Sequence, residues 1–287
     1  MKVLVVGMDG LRFDRLVALA PSVLTGLMAT GTYGTSKLPY GQAAAPRTEE
    51  PGEVVPGGIT SRTDSGPGWS SIATGVWPDK HGVVDNSFKE ANFTKYPDFV
   101  TRAKVANPEL TTYAIVSWAA LGEHGAFSTD IDVRVVLDGY TDTFAACDAR
   151  VAEQAATHLA QRGPDLSFVY FGDTDEVAHD LGPMGREYAD ALLRQDAYLG
   201  RLLEAVRSRD GEQWTVLVTT DHGHVDAGGH GGTSDEERTT FVILNRLGED
   251  LGGVRLDEAR LVDVAPTALT LLGVDPDPSF DGSFIKC

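Results

Sequence analysis

Short apolar, β-branched runs alternate along this 287-residue chain with stretches of helical spacing, and that alternation restricts the fold more than any other feature. Runs of strand length lie at Lys2–Val6, Thr112–Ser117, Leu166–Phe171, Thr215–Thr219 and Thr240–Leu244, and residues 132–137 (DVRVVL) form a sixth, strand-like run. Between them, Glu187–Arg207 carries Tyr188, Leu192, Leu193, Tyr198, Leu199, Leu202 and Leu203 at helical intervals. Pro21–Thr30 reads as a helix closed by Gly31, and Asp263 as the cap of a helix running through Pro266, Leu269 and Leu272 to Gly273. Strands that are apolar on both faces need cover on both faces. The pattern therefore predicts an α/β protein, a mostly parallel β-sheet sandwiched between helices with small cap insertions. Two stretches fit the alternation poorly: 36–64, rich in Pro, Gly and charge, and 86–165, which holds Trp118 and His124. Both are read as insertions shaping access to a site, within one domain spanning 1–287.

Ligand-type side chains sit where these runs end. Asp9 follows the first run, Asp175 and His179 lie just past Leu166–Phe171, Asp221 and His222 follow Thr215–Thr219, and His230 sits in GGHGG. Each has an ordinary explanation when taken alone: a turn residue, a solvated loop, an exposed helix pair, an inert loop histidine. Together they fall where an open parallel sheet collects ligands, at the carboxyl ends of its strands. Three Asp and three His without a thiolate make a site for two divalent metal ions. Zn²⁺ suits that donor set best, with Mn²⁺ and Mg²⁺ as alternatives. His224 competes with His222 for one coordination place, whereas His81 reads as a turn residue and His158 as part of a helix.

Ser65, in DSGPGWSSIATG, precedes a helical stretch at Trp69–Ala73. A hydroxyl at a helix start meets unpaired N–H groups that favour a phosphoryl group, and a neighbouring metal would activate it as a nucleophile. The residues alone leave two alternatives open: Ser65 as a helix cap, and Ser70 or Ser71 as the nucleophile. Trp69, Trp77 and Trp118 each suit either the core or a stacking surface for a base or sugar.

A formal charge of −18 argues against a general nucleic-acid surface, which needs a basic patch. Phosphate binding is still compatible with that charge, because metal ions supply a local positive field. Cys147 and Cys287 are far apart and carry no metal spacing, so both are expected as free thiols. The chain opens directly on a strand, and no apolar stretch reaches the roughly 18 residues of a membrane span. A soluble, cytoplasmic protein without a membrane partner is expected.

The pieces, in this order, resemble the alkaline phosphatase superfamily, most closely its type I phosphodiesterase and nucleotide pyrophosphatase branch. That branch has a first strand ending in D-G, then Thr or Ser two residues before Pro, S-x-x-T-G-x-x-P-x-x-H-G, D-x-x-G-H-x-x-G-P, D-H-G-M, a last His and a D-I-A-P-T helix. Here the same places read Asp9-Gly10, Ser65-Gly66-Pro67, Ser71 to Gly75 with Pro78 and His81-Gly82, Asp175 to Pro183, Asp221 to His224, His230, and Asp263 to Thr267. The resemblance implies one metal held by Asp175, His179 and His230, and another held by Asp9, Asp221, His222 and the nucleophile Ser65. It also places Asn86 on the amide that contacts the phosphoryl group. Three positions depart from the pattern: Ser65 stands for the usual Thr, Ala178 for Gly, and His224 for Met.

The implied activity is metal-dependent hydrolysis of phosphate esters, most directly phosphodiester or nucleotide pyrophosphate bonds, through a phospho-seryl intermediate on Ser65. The partner is then a small phosphorylated substrate such as a nucleotide, with Asn86 and Trp118 as candidate contacts. A phosphomonoesterase would use the same site with an extra cation, for which Arg12, Arg62 and Lys80 are near in sequence. A phosphomutase would exclude water, usually beneath a large cap. A non-catalytic dinucleotide-binding module would carry G-x-G-x-x-G after the first strand, where this chain has VVGMDGLRFD.

Overall fold

A computed structural model describes residues 1–41 and 58–286. Eight strands form one sheet: β1 (Lys2–Met8), β2 (Thr32–Lys37), β3 (Thr112–Val116), β4 (Val133–Val136), β5 (Leu166–Phe171), β6 (Trp214–Thr219), β7 (Thr239–Arg246) and β8 (Val254–Arg255). They lie in the order β4-β3-β5-β1-β6-β7-β2-β8. From β4 to β6 every pair is parallel, and β7 alone runs against its two neighbours. All the strand runs expected from the sequence are present. The antiparallel β7 has a local cause: residues 220–238 stay at the end of the sheet where β6 stops, so the chain re-enters from that end.

Side-chain alternation divides the core in two. Val3 and Val5 of β1, Phe168 and Tyr170 of β5 and Leu217 of β6 face one cluster, covered by the helices Ser65–Thr74, Phe99–Ala106 and Val264–Leu271. Leu4, Val6 and Met8, Val169 and Phe171, and Val216 and Val218 face the other, covered by Phe13–Leu19, Ser22–Thr30, Phe144–Arg162 and Arg186–Arg207. Much of 86–165 thus belongs to the sheet and its layers, through β3, β4 and the helix Phe144–Arg162. Of the stretch 36–64, residues 42–57 lie outside the described residues.

The C-terminal helix begins as expected, but Asp263 does not cap it. The Asp263 carboxylate accepts from the backbone N–H groups of Arg260 and Ser283 at 2.9 and 2.8 Å, tying the helix start to the C-terminal segment instead. Cys147 is buried as a free thiol, and Cys287 lies outside the described residues. Among the described residues no helix is long and apolar enough to cross a membrane.

What positions the site is the central trio β5-β1-β6. Met8 pairs with Phe171 and Gly7 with Thr219, so the three parallel strands end level. Asp9, the turn into the helix Asp173–Leu181, and Asp221-His222 therefore open onto one crevice.

Candidate active site

Asp9 is 1% exposed, and its Oδ2 accepts two side-chain donors: the Trp69 indole N–H at 2.8 Å and the Tyr170 hydroxyl. The indole reaches that point by lying across β1 at Gly7, where any Cβ would overlap the ring. Trp69 is therefore a core residue that orients Asp9 and lies outside the cavity lining. Burial and the neighbouring Asp9 charge hold the Tyr170 phenol well above its ordinary pKa, so it remains a donor. With Oδ2 occupied twice, Asp9 Oδ1 has no hydrogen-bond partner.

Asp221 repeats the arrangement. Its Oδ1 accepts the Gly10 N–H at 3.2 Å, while its buried Oδ2 has no hydrogen-bond partner. Between the two orphaned oxygens stands His222 Nε2, 3.6 Å from Asp9 Oδ1, 3.2 Å from Asp221 Oδ2 and 3.2 Å from Ser65 Oγ. His222 Nδ1 lies 3.1 Å from the Gly223 carbonyl, to which it can donate, which leaves the Nε2 lone pair for the crevice. Burial and the adjacent His230 press the His222 pKa well below its ordinary value, so the ring is neutral. Burial, then the charge of Asp221, raises Asp9, and burial with Asp175 raises Asp221 to about 8. Uncompensated buried carboxylates with unpartnered oxygens are costly, and a divalent cation offsets that cost.

The second group stands on the helix Asp173–Leu181, whose spacing puts Asp175 and His179 on one face, with His179 Nε2 3.3 Å from Asp175 Oδ2. His230 comes from a glycine loop secured by Thr63, whose hydroxyl accepts the Gly231 N–H and donates to the Gly232 carbonyl, both at 2.9 Å. His230 Nε2 lies 2.9 Å from His179 Nε2 and 3.6 Å from Asp175 Oδ1. Two imidazole nitrogens aimed at each other suit ligands of a common ion. Asp9, Asp221 and His222 form one compact donor set, and Asp175, His222 and His230 form another. His222 therefore belongs to both by distance, whereas the sequence reading gave it to one. The residues fit two divalent metal ions.

Burial opposes ionisation of Asp175, but hydrogen bonds from His179 and His224 hold its pKa well below the ordinary carboxylate value. The two competing histidines separate cleanly. His222 Nε2 faces Asp9, Asp221 and Ser65, while His224 Nε2 sits 2.9 Å from Asp175 Oδ1.

Ser65 is the first residue of the helix Ser65–Thr74. Asp64 occupies the cap position, so the Ser65 hydroxyl serves no cap and instead faces His222. Ser71 and His81 are 3.0 Å apart and mimic a nucleophile with its base, but the wiring runs the other way. His81 Nδ1 accepts the Val83 N–H at 3.0 Å, so Nε2 carries the proton and donates to Ser71, whose own hydroxyl donates to the Pro67 carbonyl at 2.8 Å. Ser70 is fully buried within the same helix.

A cavity of about 220 Å³ opens over Ser65, lined among others by Asp9, Asn86, Trp118, Tyr140, Asp175, His179 and His230. Asn86 Oδ1 accepts the Gly66 N–H at 2.7 Å, which assigns the amide orientation and leaves its NH₂ as the available donor. Trp118 and Trp77 both belong to the buried core, but only Trp118, its ring centroid 5.9 Å from that of Phe88, also lines the cavity. Sequence reasoning missed Tyr140, exposed at the cavity, and the Trp69 and Tyr170 donors to Asp9. For Tyr170 the one available signal was strand alternation, which places it on the face toward the helix Ser65–Thr74.

The comparisons agree with this architecture. Murine ectonucleotide pyrophosphatase/phosphodiesterase 5 superposes with a TM-score of 0.68 at 16% identity, covering 99% of this chain and 98% of that one. The 2-O GAG sulfatase BT1596 gives 0.69 at 14%, covering 99% and 73%. Among curated relatives, the 2,3-bisphosphoglycerate-independent phosphoglycerate mutase of Natronomonas pharaonis is 31% identical over 147 residues, 50% of this chain and 28% of the mutase. The mutase of the same description from Cereibacter sphaeroides is 29% identical over 235 residues, 74% and 45% of the two chains. The chain thus spans less than half the length of these relatives. Residues 60–235, which carry Ser65, Asn86, both acid–histidine pairs and His230, match a family described as type I phosphodiesterase / nucleotide pyrophosphatase. On that match, over more than half its length, the chain belongs to the type I phosphodiesterase / nucleotide pyrophosphatase family.

Proposed function

We propose that this protein hydrolyses phosphodiester or pyrophosphate bonds of a small substrate such as a nucleotide, with Ser65 as nucleophile and two divalent ions, Zn²⁺ by preference, as cofactors. When bound, the ions supply Lewis acidity that stabilises charge on the attacking and leaving oxygens. Asp9, Asp221 and His222 would hold one, and Asp175, His179 and His230 the other, with His222 near both. Ser65 Oγ, beside the neutral His222 ring, attacks phosphorus as the P–O bond to the leaving group breaks, its proton passing to solvent; water then cleaves the Oγ–P bond of the phospho-seryl intermediate, returning a proton to Ser65 and releasing the phosphoryl product. The Asn86 NH₂ donates to a non-bridging phosphoryl oxygen. Trp118 forms an apolar wall for the second substituent.

The cavity lining carries this reading: it contains neither lysine nor arginine among the described residues. A phosphate monoester brings two negative charges and favours a further cation, whereas a diester brings one. The three cations nearby in sequence are engaged. Arg12 pairs with Asp14 and Asp226 at 2.8 and 2.6 Å, Lys80 with Asp281 at 2.5 Å, and the more exposed Arg62 with Asp64 at 3.0 Å. A second reading, phosphoryl transfer within one substrate, is favoured by the mutase relatives and would also load Ser65.

The test compares kcat/KM for bis-para-nitrophenyl phosphate and a dinucleotide with that for para-nitrophenyl phosphate and the matching nucleotide. The diester is expected to lead by tenfold or more, about 1.4 kcal/mol of transition-state binding. A tenfold lead for the monoester would overturn the reading. Isomerisation of a phosphorylated substrate without release of phosphate would establish the mutase alternative.

A further inference from the structure

His224 stands where the resembling family has Met, and its ring makes a contact that a thioether cannot make as a donor. The side chain is fully buried, with Nε2 2.9 Å from Asp175 Oδ1 and Nδ1 without a hydrogen-bond partner. A neutral imidazole carries one proton. On Nδ1 it would be a buried unsatisfied donor, and Nε2 would oppose its lone pair to a carboxylate oxygen. On Nε2 it makes a charge-assisted hydrogen bond and leaves only a bare lone pair unpartnered. The proton therefore belongs on Nε2, and that nitrogen has no lone pair to offer a metal.

The backbone fixes the same arrangement. The His224 carbonyl accepts Arg12 Nη1 at 3.0 Å, and Arg12 is itself clamped by Asp14 and Asp226. Gly10, at φ +61°, sits against the pair, and a Cβ there would lie 2.5 Å from His224 Nε2 and 2.8 Å from Asp175 Oδ1. The residue after Asp9 thus leaves room for the hydrogen bond that orients Asp175.

We propose that His224 is a positioning residue, not a ligand: it donates Nε2–H to Asp175 and fixes that carboxylate toward His179 and His230, raising affinity for the metal held there. The proposal rests on the two-metal reading above. Zn²⁺ titration of the metal-stripped full-length chain, in competition with a chromophoric chelator, tests it. His224→Met is expected to weaken one of two sites by about 10–100-fold and leave the other unchanged, and His224→Gln, which restores an N–H donor, is expected to recover much of the loss. Equal affinities at both sites in wild type and His224→Met would overturn the proposal. Imidazole ¹⁵N spectra of the Zn²⁺-loaded wild type decide it independently of any variant: Nε2 protonated and Nδ1 bare supports it, and a metal-bound His224 nitrogen overturns it. A wild type that takes up a single ion would sink the two-metal reading alone, because the spectra would still report which role His224 has.

Discussion

Ser65 and Ser71 show how little the residue type decides and how much the wiring does. Both hydroxyls face an imidazole nitrogen, at 3.2 and 3.0 Å, but the facing nitrogen is bare in His222 and protonated in His81. Ser65→Ala is therefore expected to keep the fold and bound metal while turnover falls on the order of 10³-fold or more. Ser71→Ala should cost about 1 kcal/mol of stability through its lost hydrogen bonds and leave kcat within a few-fold. Parallel kinetics and denaturant unfolding check both, and a phosphorylated peptide containing Ser71 in place of Ser65 would reverse the assignment. The candidate ligands stood out in the sequence because their types and local spacings are distinctive: Asp175 with His179 on one helical turn, Asp221 beside His222. Which oxygen of each carboxylate faces the crevice was not legible. Asp9 takes that information from Trp69 and Tyr170, and Asp221 from Gly10, all distant in sequence.

At the scale of elements, strong apolar strands declared themselves and weaker patterns did not. β2 alternates buried with half-buried positions in the modest residues TYGTSK, and the helix Phe144–Arg162 buries small or polar groups such as Cys147, Asp148, Ala152 and Ala155 among its larger ones, so neither gives a strong periodic signal. Helix starts were placed to within a few residues, but the use of Asp263 required a partner segment about 20 residues away. The short helix Pro78–His81 carries a testable consequence. Burial lowers its His81 from an ordinary pKa of 6.5 to about 3, so the ring stays neutral in the fold and protonates first in the unfolded chain. Stability from this group is complete above pH 6.5 and is lost as pH falls toward 3, at a limiting slope of about 1.4 kcal/mol per pH unit. Urea midpoints of wild type between pH 7 and 5 are expected to fall more steeply than those of His81→Gln. Parallel curves would refute the account.

For the whole molecule, the fold class followed from alternation alone, whereas strand order did not, because it is set by pairings between distant segments. The same arrangement gathers Asp9 and Asp221 from just past the ends of two strands, and Asp175 from the helix that follows a third, into one crevice. Metal binding should therefore stabilise the entire fold, by about 4 kcal/mol at a metal concentration a thousandfold above Kd. Thermal scans with and without a chelator measure this, and an unchanged midpoint would contradict the metal-site reading. The position of β1 also has a consequence for biosynthesis. Of the eight strands described it is the first to be made, yet its partners are Leu166–Phe171 and Trp214–Thr219. At about 5–20 residues per second, an apolar strand with both edges open waits roughly 8–30 s for its first neighbour. During that interval the nascent chain exposes the hydrophobic strand destined for the centre of the sheet, so yield in cells should depend on translation speed and holding chaperones more than on final stability.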